Sequence, residues 1–332
     1  MLKHTHPLRV ARRAVAALAR PSTPLLAQLV VTRRCNLACG YCNEYDHVSD
    51  PVPLDELLAR VDHLADLGTV VLTLTGGEPL LHPQLDEIIK RVVARGMVCT
   101  SITNGYPLTR TWIERLNASG LTLLQISIDN VEPNELSQKS LRKVRRKLEL
   151  LKENATFSVN VNAVLGSGDP EQTERVVAEI KALGFYMTVG VMHDHTGQLD
   201  SGLVEDQLSA LYARLRRGSR KSIFHGLGEG WEEAMIRQGA SDWRCRAGAR
   251  YLYIDEAGIV SYCSQRRNEP GIPVLAYGRE QLRLAFNTPK GCEAQCTIAC
   301  VRRASAFDSW RTQRLQPDPP RIAPSRHLPI VA

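Results

Sequence analysis

Long apolar runs, sequence repeats and nucleic-acid-binding signatures are all missing from this sequence. No stretch approaches the roughly eighteen consecutive apolar residues that a membrane-spanning helix needs. Residues 1–20 are basic but lack the continuous apolar segment of a secretory signal. No period typical of solenoid repeats occurs. We therefore expect neither a transmembrane protein nor a repeat array, and we expect the protein to be cytoplasmic.

The charge balance is basic, with a formal net charge of +7. A basic balance can indicate nucleic acid, anionic lipid or an acidic substrate as a partner. However, the basic residues are spread along the chain, and no zinc-finger, homeodomain or RNA-binding motif is present. We expect no nucleic-acid partner. One basic run is expected to coat the solvent face of a single helix: Arg142, Lys143, Arg145, Arg146 and Lys147.

The first two thirds of the chain alternate between apolar segments typical of strands and segments with helical spacing. This alternation predicts a parallel sheet with right-handed crossovers, whose functional loops follow the carboxyl ends of the strands. Helices on one face would curl the sheet into a barrel or partial barrel, whereas helices on both faces would leave it doubly wound. The predicted strands are 27–31, 70–74, 98–103, 123–128, 157–164 and 186–192.

The chain divides into five segments by composition. A basic extension at 1–24 precedes the α/β core at 25–200. Residues 201–243 form a helical linker, helical over 203–217 and irregular over 222–243. Residues 244–312 form a small, loop-rich domain that contains five cysteines. The proline-rich tail at 313–332 is expected to be disordered.

Nine cysteines are the most informative feature of the composition. Their number is odd and two groups are tightly spaced, one at 35–42 and one at 292–300. Such spacing suits metal ligation by thiolates better than disulfide bonding. We therefore expect metal centres and a reducing compartment. Cys99 lies inside a predicted strand and is expected to be an ordinary core residue.

The first group is Cys35-x3-Cys39-x2-Cys42, directly after the first predicted strand. Three thiolates can hold three irons of a cubane cluster and leave the fourth iron open to another ligand. A structural zinc site, with His47 as a fourth ligand, is the alternative interpretation.

Two motifs resemble those of the radical S-adenosylmethionine (SAM) superfamily. Tyr41 fills the aromatic position of the Cys-x3-Cys-x-aromatic-Cys motif, and the Gly76-Gly77-Glu78-Pro79 motif ends the second predicted strand. The resemblance implies a partial (β/α)6 TIM-like barrel that binds SAM and a [4Fe–4S] cluster at Cys35, Cys39 and Cys42. It also implies that the glycine motif binds the amino group of SAM: the glycines allow close backbone approach, Glu78 supplies charge and Pro79 redirects the chain.

Weaker matches follow at later strand ends. Asn104 and Ser127 occupy positions where relatives contact SAM, and Asn162 lies in a similar setting. Turn or capping chemistry is the alternative role for each. The family's chemistry would then be one-electron cleavage of SAM to methionine and a 5′-deoxyadenosyl radical, which abstracts hydrogen from a substrate.

The second cysteine group resembles the SPASM/Twitch extension of radical SAM enzymes. Cys245, Gly258 and Cys263 match its opening pattern, and two short strands predict a β-hairpin between the two cysteines. The resemblance implies one auxiliary [4Fe–4S] cluster. Five thiolates are one more than it needs, and a three-cysteine site with an open iron or a structural zinc knuckle stays open. The candidate ligands are Cys245, Cys263, Cys292, Cys296 and Cys300.

Two further regions bear on the substrate. His193, Asp194 and His195 end the sixth predicted strand and are candidates for the substrate pocket, although a plain loop role is favoured. Residues 1–20 could form an amphipathic helix that packs on the barrel or lies on an anionic membrane. The main hypothesis is a radical SAM enzyme acting on a small metabolite or a peptide, served by a reducing partner such as flavodoxin or ferredoxin. The alternatives are modification of a lipid or isoprenoid and a non-catalytic iron–sulfur or zinc protein.

Overall fold

The protein is described by a computed structural model for residues 7–194, 196–199, 206–217, 231–267, 269 and 271–309. The predictions for His195 and for the tail at 313–332 lie outside these described residues, as do parts of the predicted linker.

Six parallel strands form the core in the order in which they occur along the chain. Each strand pairs with its neighbours in parallel register, as the alternation in the sequence predicts. The central residues of β1, β2 and β5 are mostly buried, whereas β6 alternates between buried and partly exposed residues. The strands are β1 (Leu26–Thr32), β2 (Val71–Gly76), β3 (Val98–Thr103), β4 (Leu123–Ser127), β5 (Ser158–Leu165) and β6 (Tyr186–Val191).

The crossover helices lie side by side on one face of this sheet. They are α2 (Leu54–Asp66), α3 (Leu85–Ala94), α4 (Arg110–Ser119), α5 (Leu141–Asn154) and α6 (Pro170–Leu183), preceded by an N-terminal α1 (Pro7–Ala19). Helix α2 packs on α3, α3 on α4, and α4 on α5. Helices on a single face curl a twisted sheet, so the fold is a partial barrel and not a doubly wound sheet.

The predicted C-terminal hairpin is present and extends the same sheet. β7 (Tyr251–Ile254) and β8 (Ile259–Ser261) are antiparallel, and β9 (Ile272–Pro273) follows on β8. β7 also pairs in parallel with β1, so the described sheet has nine strands in the order β6-β5-β4-β3-β2-β1-β7-β8-β9. The hairpin thereby covers the edge of β1, which would otherwise expose unpaired backbone groups.

The described residues of the second half of the chain form four α-helices: α7 (Asp206–Arg216), α8 (Trp231–Gln238), α9 (Arg279–Asn287) and α10 (Ala299–Ala306). Helix α7 confirms the predicted helix at 203–217 within its described part. Helix α8 corrects the prediction that 222–243 is irregular. Its residues Glu232, Met235 and Ile236 are buried, and this helical spacing gives α8 an inward face.

Helix α1 lies at the amino-terminal end of the barrel strands. One Arg13 nitrogen donates to the carbonyls of Ala65 (2.9 Å) and Thr69 (3.2 Å), and the other donates to that of Arg95 (2.8 Å). Ala17, which belongs to this helix, is fully buried. The helix therefore packs on the barrel, opposite the cysteine loop. Within the described part of the chain, no helix has the length and apolarity that crossing a bilayer requires.

Candidate active site

The first cysteine group lies on the loop that leaves β1, at the carboxyl end of the barrel. Two backbone hydrogen bonds shape it: Cys35 N–H donates to the Asp46 carbonyl (2.9 Å), and Cys42 N–H donates to that of Cys39 (3.0 Å). All nine cysteines of the chain are free thiols. Cys39 is buried, while Cys35 and Cys42 are partly exposed. The loop therefore presents three thiols at the barrel mouth.

The surroundings of these sulfurs suit thiolate ligands. The Leu37 N–H donates to Cys35 Sγ (3.4 Å), and the Gln138 N–H donates to Cys39 Sγ (3.3 Å). Such donors stabilise sulfur that carries negative charge. Burial nevertheless raises the pKa of Cys35 to about 11, so the thiol needs a neighbouring positive charge to ionise. Iron supplies that charge, and the donor set fits a cluster bound through Cys35, Cys39 and Cys42.

Two glycines at the end of β2 bring that strand against the cysteine loop. A Cβ atom on Gly76 would stand 2.1 Å from the Thr32 carbonyl oxygen, and one on Gly77 would stand 2.2 Å from that of Arg33. The Gly77 N–H instead donates to Thr32 O (2.8 Å). Only glycine permits this contact between the two loops.

Glu78 is fully buried, and both of its carboxylate oxygens have partners within the protein. Oε1 accepts from the Thr103 hydroxyl (2.7 Å) and the Leu80 N–H (3.0 Å), and Oε2 accepts from the Asn104 N–H (2.7 Å). Glu78 thus links the ends of β2 and β3. Neither Glu78 nor Pro79, which starts a short 3-10 helix (Pro79–Leu81), lines the cavity described below. The direct contact of Glu78 with SAM stays a prediction.

Tyr41 belongs to a buried polar network beneath the loop. Its hydroxyl donates to Asp129 Oδ2 (2.8 Å) and accepts from Lys139 Nζ (2.6 Å). Ser137 Oγ also donates to Asp129 Oδ2 (2.6 Å). Desolvation opposes the charge on Lys139, but Tyr41, Asp129 and the nearby thiols together raise its pKa well above the usual value. The site therefore keeps a half-buried cation next to the cysteine loop.

A cavity of about 360 Å³ extends over the ends of the barrel strands. Asn104 lines it and fixes the cysteine loop, because its Nδ2 donates to Asn36 Oδ1 (2.9 Å). Ser127 lines it from the end of β4, and Asn162 from the paired position on β5. Further lining residues come from both halves of the chain: Cys35, Cys39, Cys42, Gly76, Gly77, Lys139, His193, Cys300 and Arg303. One cavity thus borders the first cysteine group and one cysteine of the second group.

The second cysteine group lies around β7, β8 and α10. Cys245 is buried, and its Sγ accepts from the Ala247 N–H (3.4 Å). Cys245, Cys263, Cys296 and Cys300 pack in one hydrophobic cluster with Tyr251, to which Cys292 does not belong. Among the described residues, no three histidine, cysteine or acidic side chains converge on a single-ion position. Thiolates of a cubane bind separate irons, so a cluster site is more widely spaced than such a position.

Comparison with known proteins identifies the family. The model of the Radical SAM superfamily matches residues 29–195, which cover half of the chain and include the cysteine loop. The chain is a member of the radical SAM superfamily. It is an enzyme, and the family's enzymes bind a [4Fe–4S] cluster and SAM.

Two named relatives match the core at moderate identity. The PqqA peptide cyclase of Granulibacter bethesdensis is 31% identical over 176 residues, which are 49% of this chain and 45% of that protein. The AdoMet-dependent heme synthase of Nitratidesulfovibrio vulgaris is 35% identical over 118 residues, 34% of this chain and 31% of that protein. The chain therefore spans less than half the length of either relative.

Solved radical SAM structures share the fold. SuiB of Streptococcus suis, bound to S-adenosylmethionine, superposes with a TM-score of 0.61 at 19% identity, covering 81% of this chain and 68% of SuiB. The protein anSMEcpe with bound AdoMet gives a TM-score of 0.55 at 18% identity, covering 79% of this chain and 84% of its own. These likenesses confirm the predicted α/β partial barrel with its loop-rich C-terminal part.

The histidines of this radical SAM enzyme differ in whether they line the cavity. His193 lines the cavity, and its Nδ1 contacts the Asp194 carbonyl (2.8 Å). Asp194 caps the following turn, accepting from the Thr196 and Gln198 N–H groups. His47 Nδ1 contacts the Cys35 carbonyl (2.9 Å). His82 is buried between backbone groups and is not near the cavity. Of the candidate pair His193 and Asp194, the structure thus brings only His193 to the cavity.

Three charged residues at the cavity were not singled out in the sequence: Glu44, Lys139 and Arg303. Burial raises the pKa of Glu44, against nearby Tyr253 and Arg267. Lys139 lies three positions before the basic run of α5, whose residues 142, 143 and 146 are exposed as expected, whereas 145 and 147 are only partly exposed. Glu44 and Arg303 follow the last cysteine of their groups by two and three positions. Their closeness to these cysteines in the sequence is the signal that could have indicated Glu44 and Arg303 as candidate site residues.

Proposed function

We propose that this enzyme binds SAM in the 360 Å³ cavity, forms a 5′-deoxyadenosyl radical there and abstracts hydrogen from a substrate in the same cavity. The observation that carries the proposal is that both cysteine groups line this one cavity, the first through Cys35, Cys39 and Cys42 and the second through Cys300. An auxiliary [4Fe–4S] cluster at the second group would serve oxidation or bond formation. The five cysteines around it leave its ligand set open.

The chain's own residues would position the reactants. The backbone at Gly76 and Gly77 forms a side-chain-free wall where a SAM amino group could approach, and Asn104 and Ser127 offer polar contacts at adjacent strand ends. Lys139 supplies a half-buried positive charge suited to a carboxylate. When bound, the cluster supplies the electron that cleaves SAM to methionine and the 5′-deoxyadenosyl radical. The enclosing loops limit water near that radical.

The substrate class that fits best is a peptide or a small polar metabolite. The cavity wall combines apolar and polar groups and carries charges of both signs, from Glu44, Lys139 and Arg303. A peptide is supported by the match to PqqA peptide cyclase. A reducing partner of the flavodoxin or ferredoxin type would deliver the electron. The free thiols are consistent with the reducing cytoplasm.

The test is SAM cleavage by the anaerobically reconstituted full chain. Cys39→Ala should abolish 5′-deoxyadenosine formation under dithionite, whereas Cys99→Ala should retain it. Cys99 is the matched control because it is fully buried in β3 and does not line the cavity. Continued 5′-deoxyadenosine production by Cys39→Ala would contradict the proposal. Failure of the reconstituted wild type to bind SAM would favour a non-catalytic iron–sulfur or zinc protein.

A second candidate function, action on a lipid or isoprenoid at a membrane surface, is favoured by the outer face of α1. Leu8, Val15 and Leu18 lie on one face of this helix and are 74%, 68% and 43% exposed. Arg13 anchors the opposite face. An exposed apolar stripe on a basic helix suits an anionic membrane surface.

Vesicles of anionic phospholipid test this second candidate. The full chain should cosediment with them, and the triple variant Leu8→Gln, Val15→Gln and Leu18→Gln should lose this association. The variant Leu136→Gln and Leu275→Gln, at exposed apolar residues elsewhere, should keep it. A wild type that stays in the supernatant would exclude this function.

A further inference from the structure

Lys290 places a buried positive charge beside the second cysteine group. Its side chain is only slightly exposed, and Nζ donates to the carbonyls of Ala285 (2.6 Å) and Thr288 (2.6 Å). Nζ also lies 4.5 Å from the ring centroid of Tyr262. No carboxylate forms an ion pair with this ammonium among the residues that the structure describes. Its hydrogen bonds are satisfied, but its charge is not neutralised.

Arg246 adds a second cation close to Lys290, since both side chains donate to carbonyls at the end of α9. It directly follows Cys245 and is buried, with its guanidinium carbon 3.9 Å from the centre of the Phe286 ring. One of its nitrogens donates to the Phe286 carbonyl (2.5 Å). In the described part of the chain it, too, has no ion-pair partner. Two buried cations therefore lie together near the same cysteines.

Neighbouring charges cancel these two cations only in part. Arg266 forms an ion pair with Glu269 (2.7 Å), so this pair is close to neutral. Glu293, whose Oε1 accepts from the Lys290 backbone N–H (2.8 Å), offsets one of the two positive charges and leaves the other. Buried charges in proteins are normally paired or bind ions. The fold thus keeps net positive charge at the second cysteine group.

The cysteines are the nearest groups that could supply the missing negative charge. Lys290 precedes Cys292 by two residues, and Tyr262, whose ring it contacts, directly precedes Cys263. A cubane core held by cysteine thiolates is anionic, and reduction makes it more so. Cluster potentials depend on such local charge. A fixed cation therefore stabilises the reduced form more than the oxidised form.

We infer that Lys290, assisted by Arg246, is a positioning residue that raises the reduction potential of the auxiliary cluster and so favours electron uptake there. This inference rests on the auxiliary cluster of the proposed function. The role assigned to Lys290 is electrostatic: arginine should replace it, and an uncharged side chain of similar length should not.

The experiment uses the full chain carrying Cys35→Ala, Cys39→Ala and Cys42→Ala, so that only the auxiliary cluster contributes. After anaerobic reconstitution, its midpoint potential is measured by redox titration followed by electron paramagnetic resonance. Adding Lys290→Met should shift the reduction equilibrium at least tenfold toward the oxidised form, which is about 59 mV for one electron. Lys290→Arg should stay within about threefold. Lys143→Met, which removes an exposed lysine of α5, should leave the potential unchanged.

The possible failures are distinguishable. A triple-alanine chain that binds no iron overturns the auxiliary cluster and with it this part of the proposed function. A chain that binds the cluster but keeps the same potential after Lys290→Met overturns the inference alone. If Lys290→Met does not fold by circular dichroism, Arg246→Gln carries the same prediction. An unchanged potential in that variant is equally decisive against the inference.

Discussion

Arg250 and Asp308 form an ion pair in which both side chains are fully excluded from solvent. Two guanidinium nitrogens donate to the two carboxylate oxygens at 2.6 and 2.9 Å. The remaining terminal nitrogen of Arg250 donates to the carbonyls of Ala17, Arg20 and Thr23. This one side chain therefore joins α1, the start of β7 and the end of α10, and it ties both ends of the described chain to the barrel.

Breaking this pair from one side should strongly destabilise the protein. Asp308→Asn leaves a buried guanidinium without its counter-charge, which typically costs about 3–5 kcal/mol. Urea unfolding followed by circular dichroism measures the change. The control is Asp66→Asn at the exposed Arg95–Asp66 pair, where we expect about 1 kcal/mol or less. Equal effects of the two substitutions would show that the buried pair has no special role.

Adding one methyl group at Gly77 should disrupt the first metal site. A Cβ atom would approach the Arg33 and Arg34 carbonyl oxygens to 2.2 and 2.5 Å, so the cysteine loop must move. Gly77→Ala should therefore lower the iron content and SAM cleavage together, as measured after anaerobic reconstitution. Gly278→Ala is the matched control, because its Cβ would be no closer than 3.4 Å to a neighbouring atom. Full iron content in Gly77→Ala would contradict this interpretation of the glycine motif.

Removing the Tyr41 hydroxyl should destabilise the buried network. Tyr41→Phe deprives Lys139 of an acceptor and Asp129 of one of its two donors. Leaving buried polar groups unsatisfied costs about 1–3 kcal/mol. Denaturant unfolding tests this, with Tyr45→Phe on the same loop as the control. If both variants are equally stable, the aromatic position serves packing alone.

His82 should make stability depend on pH in the weakly acidic range. Its Nε2 contacts the Val52 carbonyl (3.0 Å), and its Nδ1 accepts from the Gln84 N–H (3.2 Å), an arrangement that requires the neutral ring. Desolvation lowers the pKa of His82 in the folded protein. Its contribution is therefore complete above the unfolded value of about 6.5 and is lost as the pH falls toward the lower folded value.

The comparison of wild type with His82→Gln measures this contribution. Unfolding free energies between about pH 7.5 and 5 should fall more steeply for the wild type, because only the wild type takes up this proton on unfolding. Parallel pH profiles would show that His82 does not titrate differently in the folded state.

Local patterns in the sequence were sufficient to predict the barrel and the position of the first cysteine group. Each strand–helix unit is built from neighbouring residues, and the cysteine and glycine motifs follow strands that their apolar runs make visible. The hairpin at β7 and β8 was also predictable, because its turn at Gly258 is local. These parts depend on short-range signals.

Long-range pairings were not predictable. The parallel pairing of β7 with β1 joins Leu26 to Tyr251, and nothing in either segment specifies its partner. Lys139 looks like one more residue of a basic stretch until the fold places it against Tyr41. The resemblance implies a contact of Glu78 with SAM, but nothing in the sequence indicated that its two oxygens would accept hydrogen bonds from β3, from the residue that follows β3 and from its own turn. Such roles depend on contacts between segments that are distant in sequence.

The most direct test of the account is the iron content of the full chain after anaerobic reconstitution with iron and sulfide. The wild type should bind about eight irons, and the Cys35→Ala, Cys39→Ala and Cys42→Ala chain should bind about four and form no 5′-deoxyadenosine, since each cubane holds four irons. A wild type that binds about four irons, falling to none in the triple variant, would contradict the auxiliary cluster and leave the second cysteine group as a zinc or purely structural site.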